Sequence, residues 1–118
     1  MVSHGLFRER LARTVIVNQV SQLLTLRSAW MAARGDLPGV EGSMAKIFSS
    51  ESYQKVAGWF QQMAGAEGLL SFNAEGSAAE GWIDYHARHA PVTTIYGGTT
   101  EINRNNVAEN FLGLPRTR

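Results

Sequence analysis

LFRERLARTVIVNQVSQLLTLRSAWMAA, residues 6–33, is a long run without glycine or proline. It predicts one α-helix that Gly35 and the turn sequence at 36–39 bring to an end. Six apolar side chains would lie along one side of this helix: Phe7, Leu11, Val15, Leu26, Trp30 and Ala33. Apolar residues at 16, 17, 20, 23 and 24 extend that surface to a second side. A helix that is apolar on more than one side packs between several neighbours.

Three further helices follow the first one along the chain. They are predicted at 41–64, 77–88 and 100–112, because glycine- or proline-containing segments separate them. The segment 91–96 is expected to be an extended loop, and no segment predicts a strand. The fold class is therefore all-α, an antiparallel helical bundle of three long helices plus one short one, in a single domain over residues 1–118.

The three later helices are too short to cover every apolar side of the first. Ser43 is a candidate cap for the second helix, and Trp82 and Tyr85 are the expected buried anchors of the third. Three such partners leave part of the first helix uncovered. Either a further helix precedes this sequence, or other subunits cover that surface.

Composition excludes several function classes. The chain has 118 residues, 44% hydrophobic and 18% charged, with a net charge of +1 and no cysteine. Such a charge gives no electrostatic reason to expect nucleic acid as a partner, and disulfide or thiolate chemistry is excluded. No apolar run is long enough for a membrane span. Charged residues near the start interrupt any signal-peptide pattern, so a cytoplasmic location is expected.

The sharpest local feature is the sequence GGTTE at 97–101, which leads into the last helix. Two glycines permit positive φ and a close approach of backbone to a ligand. Thr99 or Thr100 can cap the helix, whose free N–H groups would attract a phosphate or carboxylate. An ordinary glycine turn followed by a threonine cap explains the same residues, and the residues alone do not decide between the two.

Other polar clusters have simpler explanations. The segment QMAGAEG at 62–68 is typical of a helix C-cap with a turn. His86 and His89 are three apart but lack a third ligand, so no metal site is expected. Glu80 and Asp84, four residues apart on the third helix, are typical of a solvated face.

The end of the chain resembles a known family. The sequence IYGGTTEINRN at 95–105, followed by Ala108-Glu109 and LGLPR at 112–116, closely resembles the C-terminal signature of acyl-CoA dehydrogenases. Gln62, Gly65 and Gly68 match a glycine motif of that family, as Ala45-Lys46 matches its usual Ala-Lys pair. The resemblance covers nearly all of the chain.

The resemblance implies a fold context and an activity. Subunits of this family have an N-terminal helical domain, a middle β-domain and a C-terminal four-helix bundle. By resemblance, the chain is part of that bundle and lacks the first two domains and the first bundle helix. Family members use FAD to oxidise the Cα–Cβ bond of an acyl-CoA thioester, with a carboxylate that removes the α-proton. They are usually tetramers that share flavin sites.

Site residues are carried over from the family position by position. The resemblance implies FAD contacts for six residues, and those at 62–66 would contact a flavin bound mainly by a neighbouring subunit: Gln62, Gly65, Ala66, Thr99, Thr100 and Glu101. It implies that Tyr96, Gly97 and Gly98 lie beside the acyl-CoA substrate.

One departure concerns the chemistry. Many members carry the catalytic Glu directly after the tyrosine, where this chain has Gly97, so no catalytic residue is assigned. Ala66 also replaces a usual glycine. The alternative function is a non-catalytic helical module that forms homo- or hetero-oligomers. The isolated chain is expected to hold FAD weakly or not at all.

Overall fold

A computed structural model describes residues 4–36 and 39–116. Four α-helices appear in chain order: α1 (His4–Ala33), α2 (Glu41–Ala64), α3 (Trp82–His89) and α4 (Thr100–Asn110). These described segments contain no strand, so the predicted all-α class is confirmed. Leu37 and Pro38, which belong to the predicted first turn, lie outside the described residues.

Helices α1 and α2 form an antiparallel hairpin whose contact surface includes polar side chains. Asn18 and Ser21 of α1 line one groove together with Ser49 and Ser52 of α2. Nearer the connecting turn, the Arg27 guanidinium pairs with the carboxylate of Glu41 at 3.4 Å. The side of α1 that faces α2 is mixed, since Val17 lines the same groove and Leu24 lines another groove with residues of α2.

The apolar sides of α1 remain exposed. Val15, Leu23, Leu26 and Trp30 keep 58%, 66%, 64% and 58% of their surface. The whole chain exposes 8339 Å², whereas a compact protein of this length exposes about 6,300 Å². Its radius of gyration is 17.5 Å, against about 13.5 Å for a compact domain. The surplus agrees with the expectation that α1 carries more apolar surface than its own partners cover.

Helix α2 is the centre of the structure. It contacts α1 on one side and α3, α4 and the segments between them on others. It begins at Glu41 after Val40 and receives no side-chain cap, so the expected capping role of Ser43 is wrong. Ser43 lies inside the first turn and is buried, because the helix starts three residues earlier than a Ser43 cap would require.

The third helix is shorter than predicted. Ala78–Gly81 form a 3₁₀ turn in which Ala79 and Glu80 have φ of +49° and +57°, so the α-helix begins only at Trp82. Trp82 and Tyr85 are 51% and 42% exposed, and the expectation that they are buried anchors is wrong within this chain. Their rings pack against each other at 5.6 Å, on the surface of α3.

The segment 91–96 is also not extended. Ala90–Thr94 form a 3₁₀ turn with Pro91 in its first turn, where a missing N–H costs nothing. The hydroxyl of Thr93 donates to the carbonyl of Ala90 at 2.6 Å, and that of Thr94 donates to Pro91 at 2.8 Å. These hydroxyl bonds favour a tight turn over the extended backbone that was predicted.

Candidate functional site

The turn between the last 3₁₀ segment and α4 depends on two glycines. Gly97 and Gly98 have φ of +68° and +87°, a region that side-chain-bearing residues rarely adopt. Both residues are exposed. Among the described residues, no acceptor pairs with their amide N–H groups. The turn therefore presents two free donors at its surface.

The carbonyl groups of the same turn are held inward. The buried side-chain amide of Asn103 donates to the carbonyls of Gly98 at 3.1 Å and Thr99 at 2.9 Å. From the other side, the Lys46 ammonium donates to the carbonyl of Thr93 at 2.6 Å. Sequence reasoning did not assign either role. The only signal was a small amide residue four positions after a threonine cap, which is common on exposed helices too.

The first turn of α4 is capped as predicted. Thr99 is the N-cap, and its hydroxyl accepts a hydrogen bond from the amide of Ile102 at 3.2 Å. Thr100 is buried at 5% exposure. The amide of Glu101 and the hydroxyl of Thr99 hydrogen-bond the exposed Glu101 carboxylate and hold its pKa below the ordinary value of 4.5. An anion thus already lies at the positive end of the helix.

The second predicted group lies elsewhere. Gln62 is near the end of α2, and Gly65 ends that helix with φ of +64°. Gln62, Gly65 and Ala66 are exposed. Sixteen helical residues separate Gln62 from Lys46, a distance of about 24 Å at the α-helical rise. The chain therefore does not bring this group together with the one at Thr99–Glu101.

The polar residues of α3 make structural contacts. Asp84 is buried at 4% exposure and pairs with Arg88 at 2.8 Å, so its expected place on a solvated face is wrong. A turn of helix brings the arginine over the carboxylate, which permits the burial. His86 shares a hydrogen bond with the hydroxyl of Tyr53. Across residues 4–36 and 39–116, no group of acidic or histidine side chains could hold a metal ion.

In the part of the chain that the structure describes, no helix combines the length and apolarity needed to cross a bilayer.

Solved structures resemble this fold closely. The Tcur3481-Tcur3483 steroid ACAD superposes with a TM-score of 0.89 at 27% identity, over 98% of this chain and 30% of that one. The ChsE4-ChsE5 complex from Mycobacterium tuberculosis superposes with a TM-score of 0.85 at 25% identity, over 98% of this chain and 29% of that one.

Sequence comparisons point to the same family. Acyl-CoA dehydrogenase FadE34 of Mycobacterium tuberculosis is 30% identical over 109 residues, which are 92% of this chain and 14% of that protein. A 3-sulfinopropanoyl-CoA desulfinase of Variovorax paradoxus is 36% identical over 99 residues, 80% of this chain and 22% of that protein. The chain thus spans less than a quarter of either relative. The family model for the acyl-CoA dehydrogenase C-terminal domain matches residues 1–112 of this chain, and the chain therefore belongs to the acyl-CoA dehydrogenase family.

Proposed function

We propose that the chain is the C-terminal helical part of an FAD-dependent acyl-CoA dehydrogenase, in which it contributes flavin contacts, a substrate-facing turn and an oligomer surface. The observation that carries this proposal is the turn at 96–101. There, two free glycine amides adjoin a threonine-capped helix N-terminus. Both relatives are named for a CoA thioester, one as an acyl-CoA dehydrogenase and the other as a 3-sulfinopropanoyl-CoA desulfinase.

The residues of this turn fit part of a flavin. The hydroxyls of Thr99 and Thr100 and the first amides of α4 are donors that suit a diphosphate. Glu101 already supplies an anion there, so its carboxylate must turn outward to admit another. When bound, FAD would supply the acceptor for the hydride that leaves the acyl chain.

The distance between the two groups supports a shared flavin site. Gln62 lies about 24 Å along α2 from the level of Lys46, Gly65 and Ala66 follow the end of that helix, and Lys46 contacts the turn. One copy of this chain would therefore contact one flavin with Thr99–Glu101 and a different one with the end of α2.

Gly97 and Gly98 would serve the substrate. Their free amides are donors of the kind that polarise a thioester carbonyl, which makes the neighbouring carbon–hydrogen bond more acidic. Gly97 offers no carboxylate to accept that proton. The proton acceptor would therefore come from another part of the parent protein or from a partner subunit.

The alternative is a helical oligomerisation module without chemistry. Its support is the exposed apolar surface of α1, where Leu23 and Leu26 are 66% and 64% exposed. Both similar structures are named for two components, which is consistent with a mixed assembly. Light scattering on the 118-residue chain tests this surface. A well-behaved monomer would count against both the module and the oligomer surface.

Flavin binding separates the two functions. FAD is titrated into the full-length protein or assembly that carries this chain, with Thr99→Ala compared against Thr99→Ser. The alanine variant should bind FAD about tenfold more weakly, since it loses one hydroxyl contact, whereas the serine variant should bind like the native protein. An assembly that binds no FAD would leave only the oligomerisation module. The isolated chain should purify without stoichiometric yellow cofactor.

A further inference from the structure

Lys46 reaches from α2 to the turn that carries Gly97. Its ammonium nitrogen donates to the Thr93 carbonyl at 2.6 Å and lies 5.9 Å from the centre of the Tyr96 ring. Its Cε lies 3.7 Å from the place that a Cβ on residue 97 would occupy. A single side chain therefore contacts the segment 93–97 near its beginning and at its end.

The charge of Lys46 is available to this segment. Within residues 4–36 and 39–116, no carboxylate forms an ion pair with Lys46. A hydrogen bond from an ammonium to a carbonyl is stronger than one between neutral groups. The lysine is also half-buried, which reduces the screening of its charge by water.

The turn at 96–98 needs a stabilising contact from outside, because its two glycines have no side chains that could fix the backbone. Two successive glycines with positive φ have more backbone freedom to lose than any other residues. Asn103 holds the far side of the turn through the carbonyls of Gly98 and Thr99. Among the described residues, Lys46 is the side chain from another helix that hydrogen-bonds the near side.

We infer that Lys46 is a positioning residue, which fixes the turn at 96–98 through the Thr93 carbonyl and the Tyr96 ring. It acts on the backbone that presents the glycine amides and does not itself touch a ligand. The inference rests on the proposed function only for the use to which the turn is put.

Amide hydrogen exchange on the full chain tests the inference without any ligand. The reporters are the amides of Ile95 and Tyr96, which both donate to the carbonyl of Val92, at 3.0 and 3.2 Å. Lys46→Met removes the donor and keeps an unbranched apolar stem. We expect exchange at both reporters to become about tenfold faster, while amides in the middle of α2 keep their rates.

Two further variants make the test specific. Lys46→Arg restores a charged donor and should bring both reporters to within about threefold of the native rate. Lys55→Met is the matched control, because Lys55 is an exposed lysine on the same helix and contacts neither the turn nor Tyr96. It should change nothing at the reporters.

The contrary outcomes are equally definite. Unchanged reporters in Lys46→Met, or an equal acceleration in every helix, would overturn the positioning role. An arginine variant as fast as the methionine variant would also do so. If Lys46→Met does not fold, Lys46→Gln keeps a neutral donor and should still exchange faster than the Lys55→Met control. Flavin titration reports on the proposed function separately, so the two ideas can fail independently.

Discussion

Replacing Asn103 should loosen the join between the glycine turn and α4. Its side chain is 8% exposed and donates to two carbonyls, those of Gly98 and Thr99. Each such bond contributes about 1 kcal/mol, so Asn103→Ala should lower the free energy of unfolding by about 2 kcal/mol. In a chain of this length, that corresponds to a fall of about 8 °C in Tm.

The measurement is urea denaturation of the chain at fixed protein concentration, because any association would contribute to stability. Asn105→Ala is the control, since Asn105 is exposed on the same helix. Asn103→Asp separates hydrogen bonding from packing. It has nearly the same shape, but its carboxylate cannot donate and would face two carbonyls. An Asn103→Asp variant as stable as the native chain would contradict the stabilising role of these two hydrogen bonds. An Asn103→Ala variant as stable as the Asn105→Ala control would also contradict it.

Three other perturbations have defined outcomes. Gly81→Ala should lower the free energy of unfolding by several kcal/mol, because the added Cβ would lie 2.5 Å from a backbone nitrogen. A Cβ added at Gly58 meets nothing within 4 Å, so Gly58→Ala should stabilise α2 by about 0.5–1 kcal/mol. Thermal melts compare the two variants. Arg88→Met leaves the buried Asp84 carboxylate without its ion-pair partner and should lower the free energy of unfolding, measured in urea, by about 1–2 kcal/mol. Arg13→Met removes an exposed ion pair and should lower it by less than about 0.5 kcal/mol. The lowered pKa of Glu101 means that its contribution to stability is present above pH 4.5 and lost as pH falls through the lowered pKa. The stability advantage of the native chain over Glu101→Gln, measured by denaturation between neutral and acid pH, should therefore shrink at low pH; an advantage independent of pH would contradict this.

The ends of α1 and α2 could be predicted from local signals in the sequence, whereas the burial of individual side chains could not. Helices α1 and α2 end just before Gly35 and Gly65, as the glycine-containing segments of the sequence predict. Asp84 shows the limit of such signals. Its spacing from Glu80 is typical of a solvated face, yet the turn at 78–81 places it inside. That turn has left-handed residues that are not glycine, which no residue preference indicates.

In the candidate site, too, a local feature could be predicted from the sequence and a long-range contact could not. The cap at Thr99 could be predicted, because threonine before a helical segment has a local physical role. The contact of Lys46 with Thr93 could not, since it joins residues 47 positions apart. Such contacts depend on how α2 packs against the end of the chain, and packing leaves no local pattern.

The exposed apolar side of α1 has a consequence for the protein in the cell. Leu23 and Leu26 lie on that side and stay 66% and 64% exposed until another surface covers them. A newly made copy without that surface would expose an apolar stripe of the kind that chaperones and proteases recognise. We expect its half-life to depend on how much of the covering surface is present. If that surface belongs to another subunit, the abundance of the chain would follow that of the subunit more closely than its own rate of synthesis.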